Sequence, residues 1–158
     1  MKHLNSEAIN KLDKRKRANL INSISGYKSA NLIGTISDSG VANLAIFSSV
    51  VHLEANPPLL GFILRPVAEV PRHTYENIKQ NGSYTINHVH ENFVEKAHWT
   101  SAKFKRDESE FAKCGLTAEF INDFAAPFVA ESKIKIGLKL VEEIPINFNK
   151  TILIIGEI

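Results

Sequence analysis

The chain has 158 residues, 44% of them hydrophobic, and a formal net charge of +2. This is enough apolar material for one domain with a real core, which argues against disorder, and so small a charge demands no polyanionic partner. No apolar run nears the roughly 20 residues that span a bilayer, MKHLNSEAIN lacks the apolar core of a signal peptide, and the single Cys114 excludes an internal disulfide or a cysteine-rich metal site; a cytoplasmic protein, not attached to a membrane, is expected.

Residues 1–25 read as a helix and lead-in to a single domain spanning 1–158, with Ser6 placed to cap the helix and Ile9, Leu12, Leu20 and Ile21 as a partial apolar stripe. Lys11 and Lys14–Arg17 form a basic cluster. A solvated helix face explains it; a nucleic-acid patch would want interleaved aromatics and a second basic segment, and neither is present.

Asn31 to Arg65 organises the rest. Leu32, Gly34 and Ile36 alternate with Ile33 and Thr35, as on a strand, and Ser37-Asp38-Ser39-Gly40 is a turn. Val41 to Leu53 reads as one long strand, Asn56-Pro57-Pro58 as a break in pairing, and Leu59–Leu64 as a strand buried on both faces. Asn43, Ser48 and Ser49 stand out as polar residues in this apolar block. Buried polar groups need partners, and a ligand is one candidate.

Pro66 and Pro71 make Val67–Val70 a loop, and Thr74–Gln80 a short helix closed by Asn81-Gly82. Arg72, His73 and Thr74 then stand at a helix N-terminus, where a cation, a hydroxyl and free amides suit a phosphate; equally, Thr74 caps the helix and Arg72 is solvated. Ser83–Val89 alternates as a strand, with Tyr84 and Ile86 opposite Thr85 and Asn87. HENFVEKAHWTSAKF reads as a helix running into a loop, with Phe93, Val94 and Ala97 inward. His88 and His90 lack a carboxylate to complete a ligand set, so no metal site is expected. Asp107 and Glu110 have capping-box spacing for a helix ending at Gly115, and Cys114 in its last turn reads as a packed thiol.

Lys133–Val141 is a strand with Ile134, Ile136, Leu138 and Leu140 inward. Thr151–Ile158 is another, reached through Pro145 and Asn147-Phe148-Asn149; its abrupt end suggests a truncated chain or an edge that needs covering. Five or six strands with helices between them fit a small antiparallel barrel better than a parallel sheet, and neither a dinucleotide fingerprint nor a P-loop is present.

The ordered set NLAIFSSVVHLEANPPLLGFIL, RHTYENIKQNGSYTINHV, AHWTSAKF and FAKCGL resembles the flavin reductase-like, FMN-binding split-barrel family, from about Leu20 to Ile158. The resemblance implies a mainly β fold, a Greek-key split barrel with peripheral helices, which dimerises and binds FMN near the subunit interface. It implies FMN phosphate at Arg72, Thr74, Ser48 and Ser49, and the ring edge against Asn43, Leu44, Ala45 and Phe47. Ser101, with His98 and Lys103, would form one wall of the flavin face or simply end a solvated helix; His73 has no assigned role. The function implied is an FMN-dependent oxidoreductase, either an NADH- or NADPH-dependent flavin reductase or a flavoredoxin-like carrier. The alternative is a split-barrel module that holds flavin or haem without turnover. Because a flavin carries the hydride chemistry, the lack of any acid–base pair in the sequence fits the first reading.

Overall fold

In the structure, a computed structural model that describes residues 4–68 and 70–158, the chain builds one seven-stranded antiparallel sheet. Its strands are β1 (Asn31–Ile36), β2 (Ala42–Phe47), β3 (Val51–Ala55), β4 (Pro58–Leu64), β5 (Ser83–His88), β8 (Lys135–Ile146) and β9 (Thr151–Glu157), while β6 (Ala118–Glu119) and β7 (Phe128–Val129) form a separate hairpin. The order across the sheet is β2-β1-β5-β8-β9-β4-β3, so β2 and β3 are its two edges. The sheet is not closed by hydrogen bonds between those edges: it is the split barrel that the sequence resemblance implies.

Strand alternation feeds two cores. Ile33, Phe62, Leu64, Tyr84, Ile86, Leu138 and Ile154 point into the barrel, where Ile78 of helix α3 (His73–Asn81) joins them. Leu32 and Leu44 point the other way, into a second cluster with Phe93, Ala97, Phe111, Leu116 and Val129. Ala97 belongs to α4 (Val94–Trp99) and Phe111 to α5 (Glu110–Cys114), so these two short helices cover the outer face near β2. The Ser37–Gly40 turn forms as expected: Gly40 has φ +82° and the Ser37 hydroxyl accepts from Val41 N at 3.0 Å. Glycine at 156 is required because a Cβ there would collide with the Tyr84 hydroxyl inside the barrel.

Several local expectations are corrected. The long strand expected over Val41–Leu53 is two strands, β2 and β3, broken at Ser48–Val50. Asn56 and Pro57 make a tight hairpin turn, and Pro58 starts β4 and pairs with Ala55. The outer face of β4 is only half buried at Leu59 and Ile63. Two helices occupy the N-terminal region, α1 (Ser6–Asn10) capped by Asn5 and α2 (Lys14–Ile24) capped by Asp13; Ser6 lies inside α1. Val94 is exposed and Ile134 lies before β8 and is exposed. Ser109, not Asp107, occupies the N-cap position of α5, which does end at a left-handed Gly115. β8 runs on to Ile146 and contains Pro145, which is tolerated because beyond Lys139 the strand pairs only with β9. β9 is no edge: it lies between β8 and β4. The loop expected at Val67–Val70 includes Glu69, which lies outside the described residues.

Candidate functional site at the edge of the sheet

Asn43 and Thr35 are cross-strand partners on β2 and β1, and both face α3. Asn43 donates from Nδ2 to Thr35 Oγ1 at 3.2 Å and to Thr74 Oγ1 at 3.1 Å, and Asn77 Nδ2 donates to Thr35 Oγ1 at 3.0 Å. All four residues are buried. The polar residue that looked anomalous in an apolar strand thus finds protein partners, and the cluster fixes the first turn of α3 against β2. The Asn77 carbonyl oxygen is buried without a partner in this network.

Thr74 does not cap α3. Arg72 occupies the N-cap position with extended backbone and makes no side-chain cap bond; its Nε donates to Pro66 O at 3.4 Å. The start of α3 therefore keeps amide groups that no capping side chain satisfies, beside a half-buried guanidinium. His73 is half-buried in the first turn.

Ser48 is exposed at the break after β2. Ser49 donates from Oγ to Ile63 O and accepts from Ile63 N, both at 3.1 Å, and so stitches that break to β4. Arg65, two residues beyond Ile63 and next to the Pro66 that Arg72 contacts, is an exposed cation at the same corner. Only its position after an apolar run could have singled it out in the sequence. Ala45 and Phe47 are half-buried on the barrel side of β2, and the Phe47 ring meets Phe62 edge-on at 5.0 Å.

Leu44 is fully buried, and its amide donates to Glu110 Oε2 at 3.0 Å. The spacing of Asp107 and Glu110 points to a local cap; in the structure Glu110 instead accepts from a strand amide 66 residues away. The carboxylate, buried under α5, satisfies an outward-facing amide of an edge strand that has no neighbour to pair with. Burial pushes its pKa up, and the bond from Leu44 opposes that shift only in part. Cys114, one turn along, is pushed up too, by burial and then by the Glu110 charge, so its thiol is packed and not activated.

Ser101 stands apart from this corner. It follows α4 on the outer side of β2 and donates to His98 O at 2.7 Å. With His98, Trp99 and Ala102 it lines an open depression of about 320 Å³. Lys103 is exposed beyond it. The loop then crosses to α3, where Arg106 pairs with Glu76 at 2.7 Å. His88 closes β5 while His90 lies outside the strand, and among the described residues no group of three or more His, Cys, Asp or Glu is arranged for a metal. Nor is any described helix long and apolar enough to cross a membrane.

Comparison with known proteins bears out the fold. Residues 25–158 match the flavin reductase like domain. A split-barrel protein of Shewanella frigidimarina, classed with the flavin reductases, is 55% identical, with a TM-score of 0.94 over 99% of this chain and 77% of its own. The flavoredoxin of Desulfovibrio vulgaris is 26% identical, with a TM-score of 0.72 over 84% of this chain and 68% of its own. An uncharacterised protein of Halalkalibacterium halodurans is 34% identical over 109 residues, 68% of this chain and 52% of that protein. The chain spans about half the length of the curated relatives it matches.

Proposed function

The chain belongs to the flavin reductase-like family, and from that premise we propose that it is an FMN-binding oxidoreductase that accepts hydride from NADH or NADPH in the cytoplasm. The observation that carries the reading is the junction of the apolar strand β2, at its one polar residue Asn43, with the uncapped start of α3 through the Asn43–Thr74 bond. FMN has a dianionic phosphate, a polar chain and a flat ring with a hydrogen-bonding edge. The residues present fit that shape. Arg72 and the first amides of α3 would take the phosphate, with Ser48 and the backbone around Ser49 closing over it. Thr74 would contribute through its amide and through its hydroxyl, which accepts from Asn43 Nδ2 and keeps its O–H to donate.

The backbone of Ala45 to Phe47 would read the ring edge. Leu44 supports that segment from behind, with its amide held by Glu110. The depression at His98, Trp99 and Ser101 would receive the nicotinamide side. The bound flavin supplies hydride acceptance and release; the chain's own residues bind and orient it and exclude water. The same observations accommodate a flavoredoxin-like electron carrier, which the likeness to the Desulfovibrio protein favours as a second reading.

We also read the protein as a homodimer. The outer face of the β3-β4-β9-β8 half carries Val51, Leu53, Ile144 and Ile146, all more than one-third exposed, beside half-buried Ile63 and Leu153. An apolar face of this kind supports the reading.

Two measurements test the reading. Titration with FMN and riboflavin should show that Arg72→Ala weakens FMN about 10- to 150-fold, the equivalent of a charge-assisted hydrogen bond of roughly 1.5–3 kcal/mol, and leaves riboflavin nearly unchanged. Equal loss for both ligands would remove the phosphate assignment. Anaerobic mixing of the FMN-loaded protein with NADH and with NADPH should bleach the flavin absorbance with at least one donor. If neither does, the carrier reading replaces the reductase.

A further inference from the structure

The N-terminal helices are a part of the chain that the proposed site does not use. No described residue of α1 or α2 is buried, and Ile21, Ile24 and Tyr27 are 46%, 65% and 102% exposed. Lys14, Arg17, Ile21 and Ile24 follow one stripe of α2, cationic at its start and apolar at its end. Across residues 4–24, Lys11, Lys14, Arg15, Lys16 and Arg17 face Glu7 and Asp13, a net charge of +3. A helix of this length has little stability of its own in water, so packing of its apolar stripe against a partner would stabilise it.

The sheet face left exposed among the described residues is complementary to it. Pairing register sets Leu53, Glu54, Ile63, Leu153, Glu142, Ile144 and Glu157 on the same outer side, with Lys139 beside Glu157. That face is apolar in the middle and carries three carboxylates against one ammonium at its margins. Every residue of β3, its outermost strand, is exposed.

We infer that the α1–α2 arm of one copy docks on the outer β3-β4-β9-β8 face of a second copy, reciprocally, so that each subunit covers the other's sheet. Ile21 and Ile24 lie over Leu53, Ile144 and their neighbours, and Lys14 and Arg15 meet Glu142 and Glu157. The exposed segment between Ser25 and Ala30 is the connector that lets the arm leave its own barrel. The inference rests on the homodimer reading and adds which segment makes the contact and against what.

Charge reversal tests it on the full chain. Lys14→Glu with Arg15→Glu places carboxylates in the first turn of α2, where they suit the helix dipole and leave the helix formed. Glu142→Lys with Glu157→Lys reverses the face. Sedimentation equilibrium should show each double variant dimerising at least roughly tenfold more weakly than the parent, because both now set like charges against each other. An equimolar mixture of the two should dimerise at close to parental strength, since every arm then meets a face of opposite sign. A mixture that stays monomeric overturns the arm–face pairing. If the arm variant dimerises like the parent, the arm docks elsewhere and the homodimer reading stands alone. If the arm variant dimerises like the parent but no longer sediments with phosphatidylserine vesicles as the parent does, the helix is a lipid-binding element and the inference falls. A monomeric parent removes the homodimer reading itself.

Discussion

The two edges of the sheet are finished in opposite ways. At β2 the chain supplies its own cover: α4 and α5 bury Leu44 and Phe111 together, Glu110 satisfies an outward amide, and Asn43 is tied to α3. At β3 all five residues are exposed and the neighbouring outer face keeps isoleucines and leucines in water. An unpaired strand edge must be either covered or charged. The covered edge is held to one geometry by contacts from α3, α4 and α5, whereas the open edge stays exposed among the described residues.

The comparison can be broken most directly at the covered edge. Phe111→Ala should cost about 3–5 kcal/mol, the toll of emptying a well-packed aromatic site, in urea unfolding at fixed protein concentration. Leu53→Ala at the open edge should stay within about 0.5 kcal/mol under conditions that keep the chain monomeric. Equal losses would mean that the two edges are alike. Glu110→Ala should cost about 1–3 kcal/mol by leaving Leu44 N buried without an acceptor. Glu110→Gln, which keeps an acceptor oxygen, should cost less; reversal of that order would show that the bond to Leu44 does not hold the edge.

A pH profile sharpens the same point. Burial raises the folded pKa of Glu110 above its ordinary value of 4.5, so the folded state holds the proton more tightly than the unfolded chain. The contribution of Glu110 is therefore most favourable below about 4.5 and declines as pH rises from there toward the raised folded value. Chemical denaturation across that window should show a slope in the parent that is shallower or inverted in Glu110→Gln. Smaller again is the stitch at the corner: Ser49→Ala loses the hydroxyl's two bonds to Ile63 and should cost about 1 kcal/mol. The smallest expected change is Tyr84→Phe. The Tyr84 hydroxyl is buried without a partner, so thermal unfolding should move little or slightly upward.

How legible these regions were in the sequence differs for a physical reason. Alternation alone placed Leu32 and Ile33 on opposite faces and Tyr84 and Ile86 together, because strand geometry makes side-chain direction a local property. Turn chemistry at Ser37–Gly40 and the helix stops at Gly82 and Gly115 were legible for the same reason: positive φ is a single-residue demand. The break at Ser48–Val50 was not, since both flanks are apolar and β-branched, and only the Ser49–Ile63 bonds show why the chain turns there. The role of Glu110 was equally hidden. Its partner is a backbone amide 66 residues away, and spacing to Asp107 suggested a local cap instead.

By itself the sequence determined the class of fold and the family, because both rest on local pattern and an ordered set of motifs. Tertiary structure alone decided that Asn43 and Thr74 bond to each other, that Thr74 does not cap its helix, that β9 is internal, and that one sheet edge is covered while the other stays open. Those outcomes depend on which segments become neighbours across the sheet. Hydrogen-bond partners and burial at long sequence separation follow from strand order, and strand order is a property of the whole chain that no window of residues contains.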